Sequence, residues 1–251
     1  MADTETEILE DGDIFFFFRP KVEEDDPEGR DDVQRFGFVL RPRGGGTVRM
    51  MMVGGKRLPR LSAHERLWGF VETVANRAAD IEKDLRGEDY DTKTRGRRHL
   101  PAARPAGEGV YVVSLEDGQM HLSYELELPD APGEVQAELN IAPKASFALS
   151  IKNPEKGAPR NAGLSDDEQA DYPRKLQEEF RGRRFASEDV RLLDAEGGEF
   201  VLVGARDDPE RAYGIDMQTE DEDYGSSEAI RRLRMVKSRH PVEPLFEGDW
   251  D

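Results

Sequence analysis

The sequence predicts an α+β protein: an antiparallel or mixed β-sheet packed against one long amphipathic helix, with a few short helices beside it. Three observations carry that expectation. Several short apolar or alternating runs are bounded by Gly and Pro, the usual punctuation of strands. One stretch, residues 62–86, repeats apolar side chains at three- and four-residue steps. The elements run as strands, long helix, strands, short helix, strand, short helix, strands, without the regular alternation of a doubly wound parallel sheet.

Residues 1–12 are acidic and aperiodic and read as a solvated tail. Ile14, Phe15, Phe16, Phe17 and Phe18 follow without interruption, which suits a strand buried on both faces. Pro20 ends it, since proline has no N–H for a ladder. Residues 36–40 and 48–53 read as a hairpin turned at Gly44, Gly45 and Gly46. Ser62 and Glu65 have the spacing of a helix capping box. Leu67, Phe70, Val71, Val74, Ala78, Ile81 and Leu85 then form one stripe that Gly87 closes. Residues 90–109 look like a long connection.

Residues 110–115 and 120–128 read as a second hairpin around Asp117-Gly118. Its second strand alternates His121, Ser123, Glu125 and Glu127 with apolar neighbours, the mark of one wet face. A short helix is expected near 133–140, a strand at 147–151 and a helix from Pro173 to Phe180. A last hairpin is read over 190–193 and 200–203, and a short helix over 227–236. Together these give one domain over 13–205, with a candidate subdomain split near 88–108. An acidic C-terminal extension, 206–251, completes the chain.

The chain has 251 residues, no cysteine and a formal charge of −18. Disulfides, thiolate metal sites and cysteine nucleophiles are thereby excluded. No run approaches the ~20 apolar residues of a membrane-spanning helix, and the acidic start lacks a secretory signal's basic flank. The reading is a cytoplasmic protein with no membrane partner. The charge opposes generic binding to nucleic acid; it fits either an acidic surface for a basic partner or a salt-adapted, acidic proteome, and the excess of arginine over lysine favours the second.

Catalytic motifs are sparse. His64, His99, His121 and His240 make no metal-spaced pair, and no Gly-x-Ser-x-Gly elbow is present. Gly55-Lys56 resembles the end of a phosphate-binding loop, but Met50 and Arg57 occupy positions that need Gly and Ser or Thr. No cofactor and no metal are expected.

Charge segregation is the informative feature. Residues 33–64 hold no acid but carry Arg35, Arg41, Arg43, Arg49, Lys56, Arg57 and Arg60. Residues 92–107 again lack acids, while Lys93, Arg95, Arg97, Arg98 and Arg104 surround His99. Guanidinium forks beside glycine suit an oxyanion. The candidate anion site is therefore Arg95, Arg97, Arg98 and His99 with Lys56 and Arg57, set against the plainer reading that these residues are internal counterions. Three function classes follow. First is a non-enzymatic binding or adaptor protein for a protein partner or anionic ligand. An enzyme on a phosphate-bearing substrate and a nucleic-acid-associated protein are the alternatives.

Overall fold

The structure, a computed structural model, describes residues 6–94, 96–157, 163–223 and 225–250. The aromatic run forms the centre of β1 (Glu7–Pro20), which pairs with β2 (Val33–Pro42) on one side and β7 (Arg104–Glu116) on the other. β3 (Val48–Val53) and β4 (Arg66–Ala75) extend the sheet beyond β2, and β8 (Gln119–Leu128) extends it beyond β7. β9 (Lys144–Lys152) pairs with β8 and, through β11 (Glu199–Arg206), with β4. The ring closes: eight antiparallel strands form a barrel. The two residues of β10 (Phe185–Ala186) pair with β9 beyond the point where β8 ends.

Strand alternation divides the side chains into two layers. Ile14, Phe16 and Phe18 of β1 fill the barrel together with Phe36, Phe38, Leu40, Met51, Tyr124 and Phe147. Phe15 and Phe17 face outward, where Val39, Val48, Met50 and Met52 continue the apolar surface. Each residue from Ile14 to Phe18 is at most 3% exposed, and full burial of such a side chain contributes about 1.5–3 kcal/mol. At the β7–β8 turn, Asp117 and Gly118 both have positive φ (49° and 76°), the twist a two-residue hairpin requires.

The expected sheet on a long helix is thus overturned, and with it the α+β class. Residues 66–75 are a barrel strand, followed by a 3-10 turn at Ala78–Asp80 and the single helical turn α1 (Glu82–Leu85). The helical spacing has a structural cause. Leu67 and Val71 both pack toward the barrel core, with Gly69 filling the same-face position between them. A Cβ at Gly69 would collide with the Phe200 ring and Met52 O. The register against β3 then slips between Val71 and Thr73, so Glu72 is a bulge and Val74 returns to the core side. One small residue and one bulge turn a period of two into steps of four and three. Ser62 does not cap a helix, and Glu65 instead binds Arg57 and the Arg60 N–H.

Other boundaries move as well. Residues 7–12 belong to β1 rather than to a tail. Residues 88–108 hold a two-stranded hairpin, β5 (Glu88–Thr92) with β6 (Gly96–Leu100), and β7 then rejoins β1, so the barrel spans the expected split. Val190–Leu193 is a 3-10 turn capped by Asp189, not a strand. α2 (Glu134–Leu139) and α3 (Arg174–Gln177) lie where short helices are expected. The C-terminal segment, with α4 (Pro209–Tyr213), α5 (Glu228–Arg232) and α6 (Glu243–Phe246), is part of the packed body. Ala229, Leu233, Met235 and Leu245 cover Phe15 and Phe17, and Trp250 reaches the inner core edge-on to Phe18. Among the described residues, no helix is long and apolar enough to cross a membrane.

Candidate functional site

The basic residues singled out in the sequence are distributed among separate partners. Lys56 Nζ donates to the Val33 carbonyl. Arg57 makes a two-pronged bond to Glu65, 2.7 Å in each prong, and these bonds hold the Glu65 carboxyl down at about 2. Arg97 pairs with Asp89 at 2.8 Å and Arg98 with Glu23 at 3.5 Å. His99 Nδ1 lies 2.7 Å from Asp89 Oδ1, and Nε2 lies 3.4 Å from Asp25 Oδ1. The bond to Asp89 raises the imidazole above its ordinary value. Arg95 lies outside the described residues. Of the described members of this set, only His99 lines the cleft that follows.

That cleft, about 460 Å³, opens between the β5–β6 hairpin and the C-terminal segment. Asp25, Arg86, Glu88, His99, Arg239 and His240 are among its walls. Two of its arginines, Arg86 and Arg239, share the carboxylate of Glu82 with a third, Arg234, that lies outside the cleft wall. Arg86 Nη2 and Arg239 Nη1 donate to Oε1 at 2.8 and 3.0 Å, and Arg234 Nη1 donates to Oε2 at 3.4 Å. The bond from Arg86, with the charges of Arg234 and Arg239 behind it, lowers the Glu82 pKa. The Glu82 side chain is 5% exposed, while those of Arg86, Arg234 and Arg239 are 51%, 61% and 55% exposed. One buried negative charge therefore faces three solvent-accessible positive ones.

The local fold explains the placement. Ile81 and Leu85 are buried against the outer face of the sheet, and this fixes α1. Glu82 and Arg86 are then one turn apart, the spacing of an i,i+4 ion pair. Arg19 at the end of β1 donates to three backbone carbonyls, Asp84 O at 2.6 Å, Pro101 O at 2.6 Å and Arg86 O at 3.0 Å. It ties α1 to the base of the hairpin and sets where Arg86 leaves the backbone. Arg234 and Arg239 arrive from the covering segment that Leu233 and Met235 anchor.

His240 is fully buried at the cleft wall, with Nδ1 2.7 Å from the Ala103 carbonyl. A carbonyl only accepts, so Nδ1 carries the proton. Burial lowers the pKa and so favours the neutral ring, and Nε2 has no hydrogen-bond partner among the described residues.

A second cleft of about 570 Å³ lies on the other side of the hairpin and shares Arg86 and Glu88 with the first. Phe17, Met50 and Met52 contribute apolar surface there, with Tyr90, Arg35 and Lys83 around it. Strand alternation sorts the hairpin: the Asp89–His99 pair lines the first cleft, and Tyr90 with Leu100 lines the second.

Sequence reasoning missed Glu82, Arg86, Arg234, Arg239 and His240. The Glu82–Arg86 spacing was a local signal for one ion pair. Nothing local connects it to Arg239, 157 residues further on. Of the two acids placed by strand pattern, Glu125 pairs with Lys144 at 3.0 Å, and burial pushes Glu127 up to about 7. Among the described residues no group of three or more His, Cys, Asp or Glu is arranged to hold a metal ion. No family model, curated protein or solved structure matches this chain.

Proposed function

We propose that this chain is a non-enzymatic binding protein that takes an anionic, phosphate-bearing group in the cleft of Arg86 and Arg239. The observation that carries the reading is the sharing of one buried carboxylate, Glu82, by three arginines that are each more than half exposed. Their fixed forks suit a tetrahedral oxyanion better than a point charge would. The filled barrel directs recognition to the outer surface, because its inner positions are occupied by aromatic and aliphatic side chains. Isothermal titration with tripolyphosphate at low and moderate salt tests the reading. Binding is expected to weaken as salt rises, and by about tenfold (~1.4 kcal/mol) in Arg86→Gln/Arg239→Gln. Absence of binding at low salt contradicts it.

A second reading, an enzyme acting on a phosphate-bearing substrate, draws on the His99–Asp89 pair in the same cleft. An imidazole oriented by a carboxylate is suited to proton transfer. Phosphate release from a phosphomonoester by the native chain, lost in His99→Gln, would favour it.

A further inference from the structure

We infer that the two clefts together hold a nucleoside phosphate, with the phosphate at Arg86 and Arg239 and the base against Tyr90 in the second cleft. This rests on the anion-binding reading and adds the chemistry of the ligand's other half.

The clefts meet at Arg86 and Glu88, so one ligand can reach from the guanidiniums to the far side of the hairpin. Each falls within the about 300–1,000 Å³ typical of small-molecule sites. Tyr90 is 37% exposed, one of two large apolar side chains so exposed among the described residues, and it stands on the hairpin face that lines the second cleft. An exposed ring on a cleft wall is a stacking surface for any base. Met50 and Met52, buried in the outer-face core, form the floor of the same cleft, while Gln34 and Thr73 add hydrogen-bonding groups there.

Charge completes the fit. Lys83 lines the second cleft and adds a positive charge there, close enough to Asp80 to interact with it. The small ligand also suits the molecule's overall charge better than a polymer does. A mononucleotide confines its negative charge to the arginine end, whereas a nucleic-acid strand would carry its further phosphates against a chain of net charge −18.

The test compares AMP, inorganic phosphate and a phosphotyrosine peptide by isothermal titration against the full chain and two variants, Tyr90→Leu and Arg239→Gln. Both substitutions are at exposed side chains, and circular dichroism checks that each variant keeps the native fold. AMP is expected to bind about tenfold or more tightly than phosphate, the size of a base-stacking contribution. Tyr90→Leu should reduce AMP to the affinity of phosphate and leave phosphate binding unchanged, while Arg239→Gln weakens both. Equal binding of AMP and phosphate, or AMP binding indifferent to Tyr90→Leu, overturns the nucleotide assignment while the anion site stands. Preference for the peptide over AMP overturns it in favour of a protein partner. Failure of all three ligands to bind removes the anion site as well.

Discussion

Arg49 and Glu10 meet on the core side of the barrel wall, Nη1 and Nη2 donating to the two carboxylate oxygens at 2.6 and 3.0 Å. Asp194 accepts from Arg49 Nε at 2.7 Å, and the Tyr111 hydroxyl donates to Glu10 at 2.8 Å. The arginine side chain is 2% exposed. An arginine from the acid-free stretch is therefore a buried counterion that joins β1, β3 and the segment before β11. Arg49→Met leaves two carboxylates facing an apolar end of the core. We expect a loss of about 3–5 kcal/mol in urea unfolding. A loss below 1 kcal/mol would show that the network does not hold the barrel end together.

Lys152 and Glu199 form a second buried pair, 2.5 Å apart and 0% and 3% exposed, on the outer side of β9 and β11. Glu199 also accepts from the Leu164 N–H, and Lys152 donates to Gln169 at 3.3 Å. Removing one partner strands the other. Lys152→Met is expected to cost about 3–5 kcal/mol, and Lys152→Met with Glu199→Leu far less, because two apolar groups replace two charges. A double-mutant cycle measures the difference. Additive losses would contradict the coupling.

The two histidines of the first cleft are shifted in opposite directions. His99 is raised by its bond to Asp89 and then by the nearby charges of Asp25, Asp89 and Glu23, whereas burial lowers His240. A raised folded pKa means that the contribution of His99 is fully present below its unfolded value of 6.5 and is lost as pH rises through the folded value. His240 acts with the opposite sign: the unfolded ring takes up a proton more readily, so its contribution falls as pH drops below 6.5. Side-chain NMR titration should find His99 above 6.5 and His240 below it, with His99 moving down in Asp89→Asn. Coincident midpoints would contradict the geometry of both rings.

Some of this was legible in the sequence for physical reasons, and some was not. The Ile14–Phe18 run announced a strand covered on both sides because it is short, aromatic and closed by Pro20, which suits a buried strand better than a buried helix. Asp117-Gly118 announced its turn because few residue pairs accept two positive φ angles. Residues 66–75 were misread because Gly69 and the Glu72 bulge reproduce helical spacing within a strand. Closure of the barrel depends on β4 finding β11 and β8 finding β9. Such pairings leave no local pattern. The basic zones were visible, but their partners Glu23, Glu65 and Asp194 lie in other segments, and the cluster around Glu82 is assembled from α1 and the C-terminal cover.

The most direct measurement is an arginine side-chain NMR titration with inorganic phosphate, following the Nε–Hε signals. Arg86 and Arg239 should shift with phosphate in a salt-dependent manner, while Arg49 and Arg57, held by carboxylates, stay in place. Signals that do not move at all, or movement confined to Arg97 and Arg98, would contradict an anion site built around Glu82.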